Sequence, residues 1–284
     1  MNFKRKFLDA LANKYNDKTY LETDPIDFCY RYKNPRDIEV TGFISALFSY
    51  GNVLSIKKHL EILFEILGKS PYTFIKKGDF SKIETKIPKY RFQTSEDILI
   101  FLETISIALK KESSLEKLFY SKNVNALLNE RIVNFQVHFS DIAKGFTGMK
   151  KLSYGLSFLI GSGILASSHK RYSMFLRWMV RDSFPDFGIY KSISKQDLIY
   201  PTDVHIVRLS RILGLSNRKS VDFILAKSIS DNFKILNPYD PTCYDFALSR
   251  LGILKICKTK YVPTICENCE IKKICSIYAR KDRG

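Results

Sequence analysis

The sequence predicts an all-α fold. Apolar residues recur at helical spacing along most of the chain, and no full strand-length segment alternates with a period of two. Only 13 Gly and 9 Pro punctuate 284 residues, which excludes collagen-like and low-complexity architectures. A hydrophobic share of 45% beside 26% charged residues allows a sizeable packed core.

An N-terminal helix is expected first, then a buried helix over Ile38–Tyr50. Ser55–Leu67 follows, with Ile56, Leu60, Leu63, Phe64 and Leu67 on one face. Ser95 opens a capping-box-like start, with Ile98, Leu99, Leu102, Ile105 and Leu109 behind it. Further helices are expected at Leu115–Tyr120, Val124–Ala143, Lys170–Arg181, Val204–Leu213, Val221–Phe233 and Tyr244–Ile256. Two stretches break this rhythm. Lys76–Gln93 is polar and basic and carries Pro88, which predicts a loop or a loosely packed excursion. Asp182–Thr202 shows no clear long helix, and connections of that length inside compact domains are often functional.

Charge and cysteine usage narrow the partners. The 46 Lys and Arg against 29 Asp and Glu leave a net charge of +17, a field that favours a polyanion such as nucleic acid. No run approaches the ~18 apolar residues of a membrane span, and Asp9 and Lys14 interrupt the basic N-terminus before a signal-peptide core could form. Free Cys29 and Cys243 fit a reducing compartment, so a cytoplasmic protein with no membrane partner is expected.

The remaining four cysteines, Cys257, Cys266, Cys269 and Cys275, form a C-x8-C-x2-C-x5-C pattern. Four thiolates on one short segment can enclose a [4Fe–4S] cluster or a tetrahedral zinc. One close pair with uneven arms favours the cluster over the paired knuckles of structural zinc, and zinc stays as the alternative. Lys255, Lys258, Lys260, Lys272 and Lys273 surround the pattern and would offset an anionic cluster, or form a solvated face.

The segment Tyr244–Cys275 resembles the closing helix and cluster loop of the endonuclease III branch of helix–hairpin–helix DNA glycosylases. Pro201–Leu209 is similar to the segment where that superfamily places an aspartate at a helix start, which points to Asp203. The lysine of its lyase-competent members finds a counterpart in Lys170, within SSHKRYSMFLRWMVRD, with Lys150 and Lys151 as competing candidates. The Lys170–Asp203 separation of 33 positions and the hairpin Leu159–Gly163 look more like the archaeal-type 8-oxoguanine glycosylases. Over most of its length the chain resembles an uncharacterised bacterial family of the same superfamily, through YRFQ (Tyr90–Gln93), KRYSMFLRWMVRD (Lys170–Asp182) and YDFAL (Tyr244–Leu248).

Elementary chemistry supports Lys170 separately. Ser167 or Ser168 is a suitable N-cap, and Tyr172, Phe175, Leu176 and Met179 form a buried stripe. His169, Lys170 and Arg171 then occupy the first turn, where the helix dipole disfavours cations. The dipole and Arg171 both act to lower the lysine pKa and release neutral amine. Asp203 is expected to cap its helix through the Ile206 amide, and a carboxylate there could also stabilise an oxocarbenium-like sugar.

The resemblance implies two helical lobes. Residues 37–182 would form a central lobe containing the hairpin, and residues 1–36 with 183–284 a second lobe carrying the cysteine loop at 257–275. It implies a DNA glycosylase with β-elimination lyase activity, monomeric, acting on damaged double-stranded DNA, with oxidised purine, 8-oxoguanine first, as substrate. A base pocket would draw on Asp245, Ser249 and Gly252, which share a helical face, and on Trp178, for which core packing is the competing account. Backbone amides near Gly161 and Gly163, with Arg171, Arg177 and Arg181, would hold phosphates. Tyr50 or Asn52 would fill the gap left by a flipped base, or else belong to an ordinary helix end with Gly51 at C′. Two alternatives stand beside this: a non-catalytic nucleic-acid-binding protein with a structural metal cluster, and a mono-functional glycosylase using an Asp203-activated water.

Overall fold

A computed structural model describes residues 2–123 and 125–283. It is all-helical: α1 (Asn2–Tyr15), α2 (Pro35–Leu47), α3 (Val53–Leu67), α4 (Pro71–Lys77), α5 (Ser95–Glu112), α6 (Leu128–Thr147), α7 (Tyr154–Ile160), α8 (Lys170–Val180), α9 (Val204–Ile212), α10 (Phe223–Leu236), α11 (Asp245–Ile253) and the short α12 (Pro263–Cys266). Among the described residues there is no β-strand, only an isolated bridge between Tyr90 and Gln93. No helix among them is long and apolar enough to cross a membrane.

Local chemistry accounts for most helix starts. Asn34 caps α2 by accepting the Arg36 amide (2.9 Å), and Pro35 at the first position needs no partner for the amide it lacks. Asn52 caps α3 through Leu54 N (2.9 Å), and the α3 face buries the five apolar residues expected from their spacing, together with His59. The capping box of α5 begins one residue earlier than expected: Thr94 Oγ1 accepts Asp97 N (3.1 Å), and Asp97 Oδ2 accepts Thr94 N (2.9 Å). The helix expected from Val124 begins at Leu128, and Val124 itself lies outside the described residues. Leu115–Phe119 is a 3₁₀ turn rather than an α-helix.

The chain divides into two compact units. A continuous unit comprises Pro25–Leu165; a discontinuous unit joins Met1–Asp24 to Ala166–Gly284. The expected boundaries at 37 and 182 are therefore displaced, and α8 belongs with the C-terminal region. The reason is charge pairing: Arg177 of α8 and Arg181 at its C-cap bond to Asp186, Asp240 and Asp245, all beyond residue 182.

The continuous unit is built on aromatic rings. Phe43 of α2 lies 5.8 Å from Phe101 of α5 and 5.5 and 5.7 Å from Phe135 and Phe139 of α6, centroid to centroid. Lys76–Gln93 is packed rather than loose, because Phe80, Ile83, Ile87 and Tyr90 are all buried. Gly51 is not at C′ of α2, whose C-cap is Phe48. In the discontinuous unit, Leu8 and Leu11 of α1 join a core with Leu209 of α9, Ile229 and Phe233 of α10 and Leu248 of α11.

Candidate active site and cysteine cavity

In the discontinuous unit α8 begins at Lys170. Its N-cap is His169, not Ser167 or Ser168: His169 is buried, holds a left-handed backbone (φ 48°) and provides no side-chain cap. A non-glycine residue in that region carries backbone strain of about 1–2 kcal/mol, and such strain concentrates at functional sites. Burial pushes the His169 imidazole down to about 4.

Lys170 is half-buried, and its pKa is lowered from the ordinary lysine value. Loss of hydration is the largest cause. The strongest attraction opposing it comes from Asp203, followed by Asp24, while Arg171 adds to the lowering and Asp245 works against it. The fold thus brings the lysine within the field of a carboxylate 33 positions away in sequence. Asp203 caps α9 as expected, with Oδ1 accepting Ile206 N (2.7 Å) and also His205 N (2.8 Å). Both amides end on one oxygen, so the cap does not use Oδ2. Gly252 of α11 lets the His205 ring lie directly against it, and a methyl there would collide with the imidazole.

Beneath this pair lies a charged interior. Arg177 forms ion pairs with Asp186 (3.2 Å) and with Asp245, and Arg181 with Asp186 and with Asp240 (2.8 Å). Arg250 of α11 donates to Asp24 Oδ2 (2.7 Å), to Thr23 Oγ1 (2.7 Å) and to Ser249 Oγ (3.1 Å). Burial pushes the Asp245 carboxyl up to about 6 in spite of Arg177, with Asp203 adding to the rise.

Several expected roles change as a result. Arg177 and Arg181 are 2% and 4% exposed and are engaged by carboxylates, which removes them from the phosphate-binding set. Asp245 faces Arg177 rather than an open base pocket, and Ser249 Oγ donates to Phe246 O (2.8 Å). Trp178 is fully buried in α8, which leaves core packing as its role. A polar stripe on a helix reads the same in sequence whether it faces a ligand or a buried guanidinium. Arg171 stays half-buried beside Lys170. Asp24, Asp186 and Arg250 were not anticipated. The one available signal was the long Asp182–Thr202 connection, which supplies Asp186.

The four tail cysteines are half-buried and line one cavity, walled by Leu209 and Ile212 of α9, Leu251 of α11, and Lys258, Lys260 and Lys272. Lys255 and Lys273 do not line it. Val262 N donates to Cys266 Sγ (3.4 Å); burial pushes the Cys257 thiol up and the Cys269 thiol up to about 11, and the Thr259 and Ile271 amides oppose part of that rise. The sulfurs share the cavity without closing into a ligating set: among the described residues, no three His, Cys, Asp or Glu side chains are arranged to hold one ion. A four-sulfur donor set with amide donors and lysines at its edge nevertheless has the chemistry an anionic iron–sulfur group requires. Glu267 braces the loop, accepting from Tyr261 (2.7 Å), Tyr278 (2.7 Å) and Lys281 (3.1 Å).

The other expected contacts lie in the continuous unit. The Gly161 amide donates to Ser157 O (2.9 Å) as the C-cap of α7, and the Gly163 amide to Gln136 Oε1 (3.1 Å), so both are already satisfied within the chain. Asn52 is exposed at the α3 cap, while Tyr50 is half-buried and donates its hydroxyl to Gln93. Lys150 and Lys151 are exposed residues of the same unit.

Residues 24–254 match the model of a family described as "Protein of unknown function (DUF2400)", and the chain belongs to that family. The matched region contains Lys170, Asp203 and Asp245 and ends before the first tail cysteine of the cavity. No curated protein and no solved structure matches the chain.

Proposed function

We propose that this member of the DUF2400 family is a DNA base-excision enzyme, a glycosylase with associated β-elimination lyase activity, acting on oxidised purine and 8-oxoguanine first. The observation that supports the reading is the pairing of a lysine with lowered pKa, at the start of α8, with Asp203 at the start of α9. In this reading neutral Lys170 Nζ attacks C1′ of the nucleotide. The N-glycosidic bond breaks, its electron pair leaves with the base, and the base takes up a proton. The Asp203 carboxylate stabilises positive charge on the sugar as the base departs and carries protons while the ring opens to the lysine Schiff base. Loss of a C2′ proton then expels the 3′-phosphate and cleaves the strand.

The cysteine cavity would be held closed by a [4Fe–4S] cluster on Cys257, Cys266, Cys269 and Cys275, with zinc as the alternative; the group supplies structure there and takes no part in these steps. The N–H···S contacts and the lysines lining the cavity support that assignment.

Borohydride trapping on duplex DNA containing 8-oxoguanine tests the reaction. Wild type is expected to yield a covalent adduct and Lys170→Ala none. Adduct formation should reach its plateau at a lower pH than an ordinary lysine would allow, because the fraction of neutral amine rises through the depressed pKa. Base release without an adduct would instead identify an Asp203-activated water. No adduct and no released base over a panel of lesions would leave a nucleic-acid-binding protein without catalysis. Iron and zinc analysis of the purified protein, with Cys257→Ser as comparison, tests the metal.

A further inference from the structure

Three turns of the continuous unit meet at an exposed cluster of rings. The Tyr90–Gln93 turn is closed by two backbone bonds, Tyr90 N to Gln93 O (3.1 Å) and Gln93 N to Tyr90 O (2.8 Å). Tyr90 and Gln93 are buried, whereas Arg91 and Phe92 are exposed, with Arg91 in the left-handed region (φ 51°). Phe92 is 43% exposed and Tyr154 is 70% exposed. Phe92 contacts Tyr154 (5.6 Å) and Phe158 (5.0 Å) edge to face, and its ring is parallel to that of Tyr50 within 2°, at 6.2 Å between centroids. The Arg91 guanidinium lies 5.7 Å from the Tyr50 ring and 5.5 Å from the Phe92 ring.

This cluster is held in place from below. Gln93 Nε2 donates to Gly155 O (2.7 Å), its Oε1 accepts from the Tyr50 hydroxyl, and the Tyr90 hydroxyl donates to Tyr50 O (2.8 Å). Gly51 (φ 99°) lies against the Arg91 guanidinium, which a side chain there would have to displace. Rings fixed in this way lose little freedom when a ligand covers them. The charges on the three turns, residues 49–52, 89–93 and 150–154, are Lys89, Arg91, Lys150 and Lys151, all basic. The Asp97 carboxylate that accepts from Ser153 is buried, so the exposed charges of these turns are basic, which an apolar protein partner does not need. A chain of flat bases joined by phosphates matches both the exposed rings and the cations.

We infer that the Tyr50, Arg91, Phe92 and Tyr154 cluster is a stacking surface for unpaired bases of a single-stranded nucleic acid. Bases stack on the Phe92 and Tyr154 rings, and Arg91 with the neighbouring lysines meets the phosphates. The surface deepens the nucleic-acid reading of the chain, yet it lies in the unit that carries neither Lys170 nor Asp203.

Fluorescence anisotropy of the full chain with labelled oligo-dT, oligo-rU and a duplex, each about twenty nucleotides long, tests the assignment. Phe92→Ala is expected to weaken single-strand binding about tenfold while leaving the duplex nearly unchanged, and Phe92→Trp to restore it. Arg91→Ala should reduce the salt dependence by roughly one counterion. Tyr120→Ala, which removes an exposed tyrosine (68%) outside the ring cluster, should have no effect. The tighter of the two single strands identifies the polymer. Wild-type binding by folded Phe92→Ala, an equal loss on the duplex, or preferential capture of a proline-rich peptide would overturn the assignment. A missing borohydride adduct with intact Phe92-dependent binding sinks only the excision reaction, and the reverse result sinks only this surface.

Discussion

The discontinuous unit buries three arginines, Arg177, Arg181 and Arg250, among carboxylates, whereas the continuous unit meets its buried carboxylates chiefly with amides and hydroxyls. Glu39 accepts from Ser114 Oγ (2.6 Å) and Leu115 N (3.0 Å), and the exposed Arg36 lies 3.6 Å away. Asp37 accepts from Ser70 Oγ (3.0 Å) and Tyr72 N (2.9 Å). Carboxylates used in this way fasten helix ends and turns around a core of phenylalanines. Guanidiniums buried with carboxylates create a fixed field instead, and Lys170 sits within it. A buried ion pair adds little net stability over apolar packing, so its presence around one lysine points to a purpose beyond stability. One unit carries exposed rings over an aromatic core; the other surrounds a lysine with buried charge.

The sharpest way to break this contrast is Asp186→Ala. It strands Arg177 and Arg181 partly unpaired, and removal of one partner of a buried pair costs about 3–5 kcal/mol. Hydrogen exchange should show protection lost in α8 and α11 and retained in α5. Uniform loss across both units would show that the charged interior is not local to its unit.

Acid titration gives the next largest effect, because each unit buries one neutral imidazole. His59, between Phe48 (4.7 Å) and Tyr90 (4.5 Å), and His169 are each pushed by burial from 6.5 to about 4. The unfolded chain binds these protons first. The stability each neutral ring preserves is therefore complete above about pH 6.5 and is lost as pH falls toward 4. That loss is on the order of 3 kcal/mol per histidine. His59→Phe should flatten the acid-unfolding curve of the continuous unit in this window and leave α8 protection unchanged, as read by denaturant midpoints and exchange.

Helix caps give the smallest effects and the cleanest separation of structure from chemistry. Thr94→Ala should cost about 1 kcal/mol through loss of the α5 cap. Asp203→Asn keeps a good N-cap and should change the denaturant midpoint by only a few tenths of a kcal/mol. The same change removes the carboxylate that stabilises the sugar cation and carries protons, so the trapped adduct should fall by at least tenfold even though the Lys170 pKa drops further without Asp203. A folded Asp203→Asn protein with undiminished trapping would reduce Asp203 to a cap.

How much of this was legible in the chain follows physical range. The α3 face and the Asp203–Ile206 cap could be read because each depends on residues within a few positions of one another. The α5 start was read one residue late, since Thr94 and Ser95 are both good caps and only geometry chooses between them. His169 at the α8 cap went unforeseen because its strained backbone is imposed by surroundings that sequence spacing does not encode. The roles of Arg177, Arg181 and Asp245 were misread for a related reason: inward polar residues were visible, but what they faced was not.

Helical periodicity, capping and the cysteine spacing are local properties of the chain, and they alone establish an all-helical fold with a sulfur-rich tail. Which unit receives α8, and which acids meet its arginines, depended on contacts between residues as far apart as Asp24 and Arg250. Burial energies and charge pairing act through space rather than along the chain. The lowered pKa of Lys170 and the stacked rings beside Arg91 therefore emerge only once the helices are packed.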